Sequence, residues 1–233
     1  MGRLAQTLGL MNTILPHPTL EDLRGAAAAL QASLPDRLHA ASLTPNSKLP
    51  FKVLSLREVV IHRMAALSTS TVHLLDANQP VAAAILTRAA IETTALLHSL
   101  RCAITTFIEN KDTRTLDEFL MKGLVGSRWK DAKVQATSVL TLINRLDREM
   151  PGFREMYDDL CEYAHPNWSG LMGSFSARKD GDYEVSFGPS QSTDAQGSAI
   201  ALLFIALHTF RHFYNDMISD LRVLNTHFDA PKR

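Results

Sequence analysis

Two oppositely charged residues, Arg88 and Glu92, stand four positions apart in the segment LTRAAIETTALL, whose other members are small or apolar. Residues at that spacing share one face of a helix. Because the surrounding side chains are apolar, we predict that the pair faces the interior, where a charge is stable only beside an opposite one. An arginine held in this way can bind an anion, so the pair is a candidate site. The alternative interpretation is a surface ion pair that contributes about 0.3–0.5 kcal/mol.

A second candidate lies in the segment YDDLCEYAHPNWSG, where His165 is followed directly by Pro166. Proline disfavours helical angles in the residue before it, so a helix is predicted to end at His165. The helix dipole favours a protonated imidazole at that end by about 0.3–1 kcal/mol. His165 and Asn167 are therefore predicted to project from the helix end as binding groups. The alternative is a histidine cap beside Trp168, which would act as a packing anchor.

Two histidines and an aspartate, His208, His212 and Asp216, recur every four residues in the last predicted helix. Two histidines at this spacing can ligate one zinc ion. Neither an HExxH nor a Glu-x-x-His pattern accompanies them in that helix, so we predict no metal and keep His208 with His212 as the alternative. A Walker sequence, a GxSxG elbow and a glycine-rich phosphate loop are absent from the sequence, which argues against a nucleotide kinase or a serine hydrolase. We predict no cofactor.

The elements that must position these residues are predicted to be helices, from the spacing of their apolar positions. The predicted helices cover residues 19–34, 55–77, 80–109, 112–124, 129–147, 152–165 and 194–227. Thr19 and Asp22 form a capping box at the first of them. The short link at Asn78, Gln79 and Pro80 predicts an antiparallel helical hairpin.

The segment between the last two long helices has a different pattern. Asp180-Gly181 separates two alternating runs, which predicts short strands near 172–178 and 183–188. We therefore predict an all-α fold, a bundle of five to seven helices with one β-hairpin inserted near 172–188. Residues 1–233 would form a single domain, with an N-terminal helix and loop over 19–53 and a core bundle over 54–228.

The composition is neutral, with 24 lysines and arginines against 24 aspartates and glutamates. No global field therefore attracts nucleic acid or an anionic membrane. The longest apolar stretch, residues 197–210, is too short to span a bilayer, and the N-terminus lacks the pattern of a signal peptide. Cys102 and Cys161 are predicted to be reduced and buried. These features predict a cytoplasmic protein that does not enter a membrane.

The order of these motifs resembles a known group of helical proteins. With Arg88 and Glu92 on one helix and Tyr157, Leu160 and His165-Pro166 near the end of a later one, the chain resembles a bacterial family of unknown function in the HEPN-like (higher eukaryotes and prokaryotes nucleotide-binding) group. The resemblance covers roughly residues 55–225. Many HEPN-like proteins are metal-independent ribonucleases that act as dimers in toxin or phage-defence systems. The resemblance thus implies a helical bundle and a homodimer.

In the ribonucleases of that group an arginine precedes the histidine by a few residues. The arginine holds the phosphate, and the histidine transfers the proton. Here Asp158, Asp159 and Leu160 stand where that arginine would precede His165. Two other pairs have the required spacing, Arg57 with His62 and Arg222 with His227. With 16 arginines and 9 histidines in the chain, about two such matches arise by chance.

Two functions follow, and the sequence leaves open whether the protein is an enzyme. The first is a binding or regulatory module whose pocket holds a small anionic or nucleotide-like ligand, with Glu92 orienting Arg88. Its ligand-binding residues would be Arg88, Tyr157, His165 and Asn167. The second is a metal-independent ribonuclease acting on RNA, with Arg88, Glu92 and His165 as catalytic residues. The neutral charge favours the first, because an RNA enzyme usually carries a basic surface.

Overall fold

A computed structural model describes residues 17–39, 46–178, 184–188 and 192–229 of the chain. Within them the fold is the predicted all-α bundle with one inserted two-stranded antiparallel sheet, and it has eight helices, one of them a single turn, where five to seven were predicted. The helices are α1 (Leu20–Ala32), α2 (Leu49–Asp76), α3 (Pro80–Asn110), α4 (Thr113–Leu124), α5 (Val139–Glu149), α6 (Phe153–Ala164), α7 (Met172–Phe175) and α8 (Thr193–Asp229). The strands are β1 (Ser176–Arg178) and β2 (Val185–Phe187).

Local sequence signals account for several helix ends. At the start of α1 the backbone N–H of Asp22 donates to the Thr19 hydroxyl at 3.2 Å, and the Asp22 carboxylate accepts the backbone N–H of Thr19 at 2.9 Å. This is the predicted capping box. Between α2 and α3 the chain turns at Asn78, whose φ is 54°, and Pro80 enters the first turn of α3. Arg63 of α2 reaches Thr93 of α3, so the two helices form the predicted antiparallel hairpin.

Three predicted boundaries were wrong. Helix α2 begins at Leu49, six residues early, because Pro50 occupies the first turn, where a missing N–H costs nothing. Helix α5 begins at Val139 rather than 129, since residues 127 and 134–136 bond to each other in a loop that leaves Trp129 81% exposed. The single-turn helix α7 precedes β1, where a strand from residue 172 was predicted.

The hairpin pairs Ser176 with Phe187 and Arg178 with Val185 in antiparallel register. The predicted turn around Asp180-Gly181 lies outside the described residues.

Helix α3 is the centre of the bundle and packs against α2, α4, α5, α6 and α8. Its largest buried side chains are Ile91, Leu97, Leu100, Ile104 and Phe107. Helix α8 runs beside it in the same direction, because the Thr94 hydroxyl meets the carbonyl of Ala206 and the Thr105 hydroxyl meets Asp220 further along both helices. The long apolar pattern of α3 is therefore the pattern of a helix surrounded by others.

One helix in the described residues, Pro80–Asn110, is long and apolar enough to cross a membrane by length and composition. Its most apolar window has a mean hydropathy of 1.3, and 61% of that window is buried inside the bundle. A core helix of a soluble protein has the same character, so this finding is weak support for a membrane span. The predicted absence of a membrane and the cytoplasmic location stay predictions.

Candidate functional site

Arg88 and Tyr157 join the central helix to α6. The guanidinium carbon of Arg88 lies 5.3 Å from the centre of the Tyr157 ring, within the range of a cation–π contact. Helix α6 is held across α3 by its buried Phe153, Met156 and Leu160, as its apolar spacing predicts. Burial raises the pKa of the Tyr157 phenol, and the neighbouring guanidinium opposes that rise.

Arg88 and Glu92 form the predicted pair, with 3.4 Å between the Arg88 Nε and the Glu92 Oε1. The side chains are 30% and 21% exposed, so the pair sits at the edge of the core rather than inside it. The Arg88 Nε is buried and has no hydrogen bond among the described residues. Burial lowers the pKa of Arg88, but contacts with Tyr157, Cys161 and Glu92 raise it further, so the guanidinium is charged.

His165 is not joined to this pair. It caps the end of α6 in an extended conformation, as Pro166 requires, and its backbone N–H donates to the carbonyl of Cys161 at 3.0 Å. Its side chain is exposed and makes no hydrogen bond or ion pair within the described parts of the chain. It follows Tyr157 by two helical turns, about 12 Å along the axis. In the described residues no hydrogen bond or ion pair joins His165 to Arg88 or Glu92, and their predicted convergence stays a prediction.

Asn167 serves the turn that follows α6. Its Nδ2 donates to the Glu162 Oε2 at 2.7 Å, and its Oδ1 accepts the backbone N–H of Gly170 at 3.1 Å. These contacts are local to residues 162–170, so the structure does not place Asn167 beside Arg88. Trp168 is 72% exposed, which removes the alternative in which it anchors the packing.

Glu92 also lines a cavity of about 210 Å³ that lies between α2, α3, α4 and α5. Arg63 of α2 and Lys122 of α4 stand on its wall with Glu92 and Thr93. Gly126 also lines it, and a Cβ there would lie 2.2 Å from the carbonyl oxygen of Lys122, so only glycine allows this loop to approach α4. Arg63 and Lys122 were not predicted from the sequence, because they lie 59 positions apart in separate helices and no local pattern links them.

A larger cavity of about 430 Å³ adjoins the first and shares with it Phe119, Lys122 and Thr137. Arg145 and Cys102 stand on its wall, together with the acidic Asp112 and Glu118. The two cavities lie next to each other along α4, and we refer to them together as the recess. Lys122 is the cation that the two cavities share, Arg63 lines only the smaller one, and the acidic residues line only the larger one apart from Glu92.

A second polar cluster, formed by His98, Cys102 and Glu149, lies behind this recess. The His98 ring is only 1% exposed, and its Nε2 lies 2.8 Å from the Glu149 Oε2 and 3.5 Å from the Cys102 Sγ. Donor atoms of all three residues lie within 4.8 Å of one another, which is close enough to hold a metal ion. The hydrogen bond from His98 lowers the pKa of Glu149, and burial raises the pKa of the Cys102 thiol.

Arg101 borders this cluster and bonds the second oxygen of Glu149, while its Nη1 lies 3.4 Å from the Asp216 Oδ2. From the sequence, Cys102 was predicted only to be reduced and buried. Both cysteines are free and half-buried. The usable signal was the four-residue spacing of His98 and Cys102, which puts both on one helical face.

The alternative metal pair, His208 and His212, lies on α8 with both side chains exposed. The His208 ring packs on Phe204 with 4.3 Å between ring centres, and the His212 ring packs on Phe213 at 5.6 Å. Neither histidine belongs to a group of three or more metal-binding side chains in the described ranges. Their ring packing is a sufficient structural role.

No protein-family model matches this chain, and no curated protein or solved structure matches it either. The HEPN-like resemblance is therefore still a prediction.

Proposed function

We propose that this protein is a helical binding module whose recess beside α4 holds a small anionic ligand. The observation that carries the proposal is that Arg63 and Lys122 meet at one cavity, and neither forms an ion pair among the described residues. The carboxylate beside them, Glu92, is already paired with Arg88. The cavity therefore keeps an excess of positive charge, which favours an anion.

One of the two cations, Arg63, is held in place before a ligand arrives. The Arg63 Nε donates to the Thr93 hydroxyl at 3.2 Å, and that hydroxyl donates in turn to the carbonyl of Ala89 at 2.7 Å. The Arg63 guanidinium keeps its terminal N–H groups for a ligand, and a guanidinium binds a phosphate or carboxylate through two parallel hydrogen bonds. A preorganised donor of this kind reduces the entropy lost on binding.

The shape of the recess favours a ligand with a charged group and a flat body. The smaller cavity suits a phosphate or a carboxylate, and the adjoining cavity has room for a ring system beside Phe119. Lys122 stands at the junction of the two. A nucleotide-like ligand would place its phosphate at Arg63 and Lys122 and its base toward Arg145.

In this arrangement Arg88 lies outside the cavity and affects the ligand only through Glu92, which lines the cavity wall. Arg88, held against Tyr157, positions Glu92, and Glu92 then accepts a hydrogen bond from a hydroxyl or amine of the ligand. This reverses the order that the sequence suggested, in which Glu92 oriented Arg88.

Isothermal titration with inorganic phosphate and with nucleoside mono- and triphosphates tests the proposal. We expect at least one of these anions to bind, and Lys122→Gln and Arg63→Gln each to weaken it by about tenfold or more, because each removes a charged hydrogen bond. Arg114→Gln is the matched control, since Arg114 is an 88% exposed arginine on α4 that does not line the recess. No binding of any of these anions, or an equal loss in the control, would contradict the proposal.

A ribonuclease is the second candidate, and one observation favours it. The exposed imidazole of His165 can exchange protons with a bound substrate. Incubating the protein with total RNA and a chelator decides the matter. If the protein cleaves RNA and His165→Ala does not, the result supports the ribonuclease. If the RNA stays intact, the ribonuclease is excluded and the binding module is the function that stands.

We propose that the protein is a homodimer. Support comes from a set of exposed apolar side chains around the hairpin, which a monomer would leave in water. Its members are Trp168, Leu171, Met172, Phe175, Val185 and Phe187. A two-fold axis at this surface would bury the set against its own copy.

A further inference from the structure

We infer that His98, Cys102 and Glu149 bind a divalent transition-metal ion of the zinc class. The proposed metal site does not depend on the proposed function, because neither Arg63 nor Lys122 belongs to it; only Cys102 also lines the recess. Nitrogen, sulphur and oxygen donors together form a borderline-soft set, which suits Zn²⁺ better than Mg²⁺ or Ca²⁺. His98 and Cys102 come from successive turns of α3, and Glu149 comes from the last turn of α5.

The distance between the cysteine sulphur and the histidine nitrogen is close to that of a tetrahedral site, and the glutamate oxygen lies within 4.8 Å of both. With a Zn–S bond of about 2.3 Å and a Zn–N bond of about 2.0–2.1 Å, sulphur and nitrogen would stand about 3.6 Å apart. The Cys102 Sγ and the His98 Nε2 are 3.5 Å apart. The Glu149 Oε2, at 2.8 Å from the same nitrogen, must move outward by about 0.5 Å. Its side chain is 46% exposed at a helix end, so this shift disturbs little packing.

The surrounding charges suit a dication. The ion would be neutralised by the Cys102 thiolate and the Glu149 carboxylate, and the neighbouring Arg101 is neutralised by Asp216. Burial raises the pKa of the Cys102 thiol in the absence of an ion. A bound metal deprotonates a coordinating thiol outright, so binding would release that proton.

The site leaves one coordination position for a small molecule. Three protein ligands plus an open fourth position is the arrangement of a reactive zinc site, whereas structural sites use four protein ligands. Cys102 lies on the wall of the cavity of about 430 Å³, so water can reach the ion from there. Metal at the His98 Nε2 puts the ring proton on Nδ1, which has no partner among the described residues. We therefore expect weaker binding than at sites whose histidines are anchored by an acceptor.

The test is a titration of the full chain, purified with a chelator that is then removed, with Co²⁺ as the probe for the zinc site. We expect one Co²⁺ per chain, a thiolate-to-cobalt charge-transfer absorption in the near ultraviolet, and loss of that absorption when Zn²⁺ is added. Cys102→Ser should abolish the charge-transfer absorption. Glu149→Gln should keep the absorption but weaken binding by about tenfold or more.

Two controls make the result specific. Cys161→Ser removes the other half-buried cysteine and should leave the absorption and the affinity unchanged. The double variant of His208→Ala and His212→Ala should also leave both unchanged, which separates this site from the histidine pair on α8. Far-ultraviolet circular dichroism checks that each variant is folded. If Cys102→Ser does not fold, Glu149→Gln still tests the site, because the Glu149 side chain is 46% exposed and its substitution disturbs little packing. Absence of Co²⁺ binding, or equal binding in Cys102→Ser, overturns the inference.

Discussion

The guanidinium carbon of Arg88 lies 5.3 Å from the centre of the Tyr157 ring, and this contact ties the central helix to α6. It connects two residues that are 69 positions apart in the sequence. The same arginine is 3.4 Å from Glu92, so one charge links an aromatic ring and a carboxylate at the edge of the core. The contact gives a first prediction.

Removing the ring of Tyr157 should cost more than removing its hydroxyl. Tyr157→Phe keeps the aromatic face under Arg88, so we expect a loss of about 1 kcal/mol or less in the free energy of unfolding. Tyr157→Leu removes that face from a buried position and should cost about 2 kcal/mol or more. Urea unfolding of the two variants measures the difference. Equal losses would mean that the ring does not interact with the arginine.

Glu92→Gln should destabilise the protein moderately. The Glu92 side chain is 21% exposed, so solvent screens the pair in part, and we expect a loss of about 1–2 kcal/mol. Glu118→Gln is the control, because Glu118 also pairs with an arginine four residues away but is 57% exposed. It should cost about 0.5 kcal/mol or less. If chemical denaturation gives the same small loss for both, Arg88 and Glu92 behave as a surface pair.

High pH should unfold the protein through Tyr214. Burial, together with donation of its hydroxyl to the Glu58 Oε2 at 2.5 Å, raises the pKa of Tyr214 well above its usual range. The folded state therefore holds this proton more tightly than the unfolded state does. Its contribution is fully present below about pH 10, the unfolded pKa of tyrosine, and is lost as the pH rises through the folded pKa.

Tyr214→Phe should reduce that dependence on pH. Unfolding free energies measured in urea between about pH 8 and 11 should fall less steeply for the variant than for the natural chain. Some slope should persist, because burial also raises the pKa values of Tyr157 and Tyr163. Identical slopes in both proteins would show that Tyr214 titrates normally.

The hairpin surface should control the oligomeric state. Phe187 is 77% exposed at this surface, and Phe187→Asp should place a charge in the proposed dimer interface. Light scattering should give twice the chain mass of 25.8 kDa for the natural protein and a lower average for the variant. Val59→Asp, at a 56% exposed position on α2, is the control and should keep the dimer. A mass of one chain for the natural protein at micromolar concentration would remove the proposed dimer.

Features set by neighbouring residues could be predicted from the sequence. The capping box at Thr19, the end of α6 before Pro166 and the pairing of Arg88 with Glu92 each depend on groups within four residues. Helix geometry brings such groups together whatever surrounds them. The starts of α2 and α5 were predicted wrongly. Helix α2 starts earlier because its first turn accepts Pro50, and α5 starts later because the polar residues before Val139 form a loop.

The candidate sites depended instead on distant residues, and only the tertiary structure could bring these together. Arg63 meets Lys122, and His98 meets Glu149, through the packing of helices around α3. Helix geometry alone sets His165 about two turns beyond Tyr157, but the packing of α6 on α3 decides that Tyr157 is the residue beside Arg88. Helical periodicity determines which face of a helix is buried. It leaves open which other helix packs on that face and at which position along the axis the two helices are in contact. That choice depends on how side chains fill the space between helices.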